Sequence, residues 1–159
     1  MSPDNYVQMM RESLENKVSL LKQIKEKNKE QGEILQDENS LPEAFEETIT
    51  AKENLINHIT RLDDGFEQLY NRVKESLSLN RNEYSGEIRK MQMLIEEITD
   101  LSQTIQAQEQ RNRDLAEKRF STITGKVKEV RKSQQAVNTY YKTMMDRAVV
   151  DPQFMDNRK

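Results

Sequence analysis

His58 is the single histidine of this 159-residue chain, which has no cysteine. Zinc and the transition metals need several nitrogen, sulfur or carboxylate ligands at close spacing. His58 stands between Asn57 and Ile59, beside an apolar seam, with no such set around it, and reads as a solvated helix residue. Asp63 and Asp64 precede Gly65 but lack the further oxygen ligands of a calcium loop. Gly65 is expected to ease a close approach or a bend. Glu46-Glu47 and Glu96-Glu97 are adjacent carboxylates that point apart on a helix and have no pocket to raise a pKa. No glycine-rich phosphate loop, nucleophile elbow or HExxH spacing occurs. The chain is therefore expected to be no enzyme and to hold no metal or cofactor.

Charge is segregated although the formal net charge is only −3. From Asp37 to Asp100 there are 15 acidic and 7 basic residues, whereas Gln106 to Lys132 carries 8 basic and 4 acidic. The basic stretch (Arg111, Arg113, Lys118, Arg119, Lys126, Lys128, Arg131, Lys132) has two readings. One is a docking patch for an acidic partner or nucleic acid; the other is the solvated face of a long helix. Interspersed acids and sparse stacking aromatics favour the second, so no nucleic-acid partner is expected. Absence of cysteine is compatible with a reducing compartment. With neither a signal-peptide run nor about 20 consecutive apolar residues, a cytoplasmic chain without membrane insertion is expected.

The elements behind these residues are long helices. One third of the chain is charged and about one third apolar, with four glycines, three prolines and no tryptophan. That composition suits narrow apolar seams on amphipathic helices. The first helix starts at a Ser2 cap with Pro3 in its first turn, and its seam is Val7, Met10, Leu14, Lys17, Leu21, Ile24, Asn28, Gln31 and Leu35. A polar break follows, in which Ser40 and Glu43 have the spacing of a capping box. The second seam runs Phe45, Thr48, Lys52, Leu55, Ile59, Leu62, Phe66, Leu69, Val73, Ser76. As the most apolar segment, it is expected to be the core helix. Breaks of a few residues make consecutive helices antiparallel neighbours. The predicted fold is all-α: an antiparallel up-down-up, coiled-coil-like bundle of three long helices at about 3–36, 41–77 and 83–145. A single domain thus spans 1–145, with a flexible C-terminal tail at 146–159.

The third stripe is nearly twice as long as the others. It runs Ile88, Met91, Ile95, Ile98, Ser102, Ile105, Glu109, Asn112, Ala116, Arg119, becomes polar and basic in its middle, and recovers from Phe120 to Met145. A helix over its whole length would measure about 95 Å, at about 1.5 Å per residue. The first two helices cannot cover all of it. The surplus presents Ile123, Val127, Val130, Val137, Tyr140, Tyr141, Met144 and Met145, whose tyrosines and methionines suit an adaptable helix-binding face. These are the candidate partner-binding residues. The alternative is a structural coiled-coil protein that uses the same face for self-association, with Ser102, Asn112 and Ser133 setting register.

The chain resembles the FlgN-type flagellar export chaperones. The resemblance lies in the lysine-led pattern Lys52, Leu55, Ile56, Ile59, Leu62, Asp63, in the Tyr140-Tyr141 pair, and in the tail Gln153-Phe154-Met155-Asp156 with terminal basic residues. It implies a cytoplasmic helper that binds a hook-associated subunit of the hook-filament junction, prevents premature assembly and delivers it to the flagellar type III export apparatus. It further implies that the C-terminal helix is the binding surface, here Val130, Val137, Tyr140, Tyr141, Met144 and Met145. Pro152 and the neighbouring aspartates depart from that pattern just after the stripe.

Overall fold

The computed structural model describes residues 2–120 together with Gln135 and Thr139. Three helices, α1 (Pro3–Gln36), α2 (Pro42–Leu79) and α3 (Ser85–Arg119), follow one another with short turns, and no strand occurs among the described residues. The bundle is all-α, as the periodicity predicts. Each helix is 34 to 38 residues long, or roughly 50 Å at about 1.5 Å per residue.

The seams are buried where the three-four spacing places them. On α1 every position from Val7 to Leu35 is buried, and on α3 every position from Ile88 to Ala116. Val7, Met10, Leu21, Ile24, Ile59, Met91, Ile98 and Ile105 form the centre of a continuous apolar core. The central element is α1, not α2. α1 packs along both other helices, whereas α2 and α3 approach each other closely at few points. Between Ile59 and Val73, α2 buries no residue fully, and Leu62, Phe66, Leu69 and Tyr70 remain half-buried against the core. Total apolarity misleads here, because the middle helix of a packing arrangement needs two covered flanks rather than a richer seam.

The caps divide likewise. Ser2 caps α1 as expected, its side chain accepting from the Asn5 amide at 3.4 Å. The Ser40-Glu43 capping box does not form. Leu41 occupies the cap of α2 without a side-chain bond, and the Ser40 hydroxyl donates to the carbonyls of Ile34 (2.6 Å) and Asp37 (2.8 Å). Closing the end of α1 claims the serine that would have opened α2. Gly65 meets no neighbour within contact distance, so the expected close approach is absent as well.

At the other end, side chains tie the start of α3 to α1. Glu87 accepts from Arg11 at 2.9 Å, which raises the guanidinium pKa, and the hydroxyl of the buried Tyr84 donates to Asp4 at 2.7 Å. The hydrogen bond to Asp4, followed by desolvation, pushes the Tyr84 phenol from 10.0 up to about 12. The neutral phenol is thus favoured by folding. Its contribution to stability is complete below pH 10.0 and is lost as pH rises from there through about 12. Phenolate absorbance, taken as the difference between the parent and Tyr84→Phe, should show Tyr84 titrating near 12, and Asp4→Asn should return it toward 10.0. An unchanged titration in Asp4→Asn would contradict this assignment.

Candidate functional site

The described residues offer no catalytic constellation. No group of three or more metal-ligating side chains occurs among them, and His58 is exposed. Asp63 pairs with Lys17 at 2.6 Å across the α1–α2 interface, whereas Asp64 is exposed. A surface groove of about 650 Å³ lies along α1, with Glu15, Val18, Lys22, Glu26, Lys27 and Leu55 in its walls. It is broad and open, unlike an enclosed ligand pocket.

The most unusual feature is polar and internal. Asn28 and Gln31 from α1, Thr48 and Lys52 from α2, and Glu109 and Asn112 from α3 are all buried. Lys52 directs its ammonium group to Glu109 Oε1 (2.7 Å), Asn28 Oδ1 (2.8 Å) and Gln31 Oε1 (3.2 Å). All three ammonium protons are used. Gln31 donates to Thr48 Oγ1 at 3.0 Å, and Asn112 donates to the Asn28 carbonyl at 2.8 Å and to Gln31 Oε1 at 3.1 Å. Asn112 also lies against Gly32, where an added Cβ would come within 3.1 Å of its amide oxygen. Glu109 Oε2 has no hydrogen-bond partner among the described residues.

Burial lowers the Lys52 pKa, and the adjacent Glu109 opposes that shift through charge attraction and hydrogen bonding. A buried lysine beside a carboxylate resembles a catalytic pair, yet its protons are committed and the group is closed to solvent, at 1% exposure for Lys52 and 0% for Glu109. The group joins three helices. The seam positions revealed each residue singly; their meeting at one level follows only when the antiparallel helices are aligned by their turns.

Beyond this layer the bundle ends in a second, smaller cluster of Leu35, Phe45, Ala116 and Phe120, with Ile34, Ile49 and Leu115 half-buried against it. The Phe45 and Phe120 rings lie 5.5 Å apart at a tilt of 52°. Arg119 is an internal clasp. Its guanidinium donates to the carbonyls of Leu35, Asp37, Glu38 and Ser40, gathering the end of α1 and the α1–α2 turn against the end of α3. The basic stretch contains this residue, and its charge alone gives no sign of the role. Arg111 and Lys118 are exposed, in keeping with the solvated-face reading.

The candidate partner-binding residues Ile123, Val127, Val130, Val137, Tyr140, Tyr141, Met144 and Met145 lie outside the described residues. What the structure contributes is the scaffold before them. α1 ends at Gln36 and α2 begins at Pro42, both level with Arg119 and Phe120. No described helix is long and apolar enough to cross a membrane.

Comparison with characterised proteins and with solved structures returns no significant match. A family model described as FlgN protein, in contrast, matches residues 1–144. That span takes in the three described helices and the apolar stripe after Phe120 as far as Met144, and the chain belongs to the FlgN family of flagellar export chaperones.

Proposed function

We propose that this chaperone is cytoplasmic and acts on a hook-associated subunit of the hook-filament junction, holding its terminal helices unpolymerised through the stripe Ile123–Met145 and passing it to the export apparatus. The observation that carries this reading is the common end of the bundle. α1, α2 and α3 run level at Phe120, while the apolar sequence resumes at Ile123. An apolar stripe of this length needs another helix to lie against, and a subunit's terminal helix supplies one. Gln135 and Thr139 are helical and exposed.

The test is capture of a purified hook-filament junction subunit by the full chain and by a chain ending at residue 120. The expected result is capture by the first alone, with helix content of the bundle retained in the second. Capture by both would remove the stripe as the site. Concentration-dependent oligomers of the full chain that dissociate on truncation, without any capture, would favour the structural coiled coil.

A further inference from the structure

We propose that the buried polar layer is a boundary at which the bundle opens in two steps, its distal end unfastening while the main core stays folded. The distal end comprises α1 after Asn28, α2 before Lys52, and α3 after Glu109.

The packing supports this division. Among the described residues, seventeen buried apolar residues form one continuous cluster on the near side, from Val7 to Ile105, and four, Leu35, Phe45, Ala116 and Phe120, form the other. Between them every helix contributes buried polar residues, and the two apolar clusters stay separate among the described residues. Opening has opposite consequences on the two sides. An apolar layer loses its burial when it meets water, whereas Lys52, Glu109, Asn28 and Gln31 regain hydration. Glu109 Oε2, which has no hydrogen-bond partner among the described residues, gains one from water without losing any. Past the hydrogen bonds of Gln31, Thr48 and Asn112 at the layer itself, the distal end is fastened by the Arg119 clasp on four carbonyls and by the Phe45 and Phe120 rings.

Unfastening has a directional outcome. Ala116 and Phe120 leave their places against Leu35 and Phe45 and stand at three-four sequence spacing with Ile123. The opened end thereby lengthens the apolar stripe available to a client. That bearing on client capture rests on the function proposed above; the two-step opening does not.

Native-state hydrogen exchange on the full chain without client tests it. Amides of Phe45–Ile49 and Leu115–Phe120 should exchange about 100-fold faster than those of Ile59, Ile95 and Ile98, with a weaker dependence on denaturant, as a sub-global opening requires. Arg119→Ala should accelerate the distal amides by a further factor of about 10 and leave the core amides unchanged. The combined variant Asn28→Leu, Lys52→Met, Glu109→Leu should bring the distal amides to within about threefold of the core. If distal and core amides of the parent share one rate and one denaturant dependence, the bundle opens as a unit and the proposal fails. A combined variant that does not fold leaves the parent comparison and Arg119→Ala decisive.

Discussion

Lys52→Ala is expected to destabilise the bundle by about 3–5 kcal/mol, the scale for removing one member of a buried ion pair. The deletion strands three acceptors at once: Glu109 Oε1, Asn28 Oδ1 and Gln31 Oε1, the last retaining only its bond from Asn112. Glu109 would then be a buried carboxylate with neither oxygen paired among the described residues. Desolvation, the larger influence on the Lys52 pKa, is also the reason the pair adds little net stability when intact. The matched change Lys52→Met with Glu109→Leu should therefore cost much less than Lys52→Ala, which urea denaturation of the three proteins would show. A loss below about 1 kcal/mol in Lys52→Ala would mean that water already reaches the layer.

The second large effect concerns binding. Replacing Val137, Tyr141 and Met144 together by aspartate should weaken capture of a hook-filament junction subunit by at least about 1000-fold, that is, by about 4 kcal/mol or more. Each substitution removes apolar area worth roughly 1.5–3 kcal/mol when buried and introduces a charge that a helix-helix contact would have to desolvate. The unfolding midpoint of the bundle should scarcely move, because the proposed role of the three is to meet the client. Titration calorimetry beside thermal unfolding separates the two readouts. Loss of binding accompanied by an equal loss of bundle stability would show that the stripe belongs to the fold.

Much of the fold was legible because burial on a long helix is almost a matter of counting. The positions Ile88, Met91, Ile95, Ile98, Ser102, Ile105, Glu109, Asn112 and Ala116 were set by spacing alone, polar members included, and all are buried. What spacing cannot convey is relation between helices. Asn28 and Gln31 looked like a weakening of the first seam, and Glu109 and Asn112 like one of the third; aligned, they form a single network around Lys52. The central place of α1 was missed for the same reason, since a seam records how apolar a helix is and not how many neighbours it serves. Ser40 and Arg119 failed as readings of local motif and local charge because distant carbonyls claim both side chains: Ile34 for the serine, and Leu35 through Ser40 for the arginine. The candidate site was legible only as an apolar excess, and excess defines a surface without naming what covers it.

In the proposed function the bundle of α1, α2 and α3 is the scaffold and the stripe after Phe120 carries the client. Hydrogen exchange of the full chain, with and without a hook-filament junction subunit, measures this most directly. The prediction is strong new protection across Ile123–Met145 and unchanged protection at Val7–Ile24, Ile56–Val73 and Ile88–Ile105. New protection on α1 and α2, with none after Phe120, would contradict it.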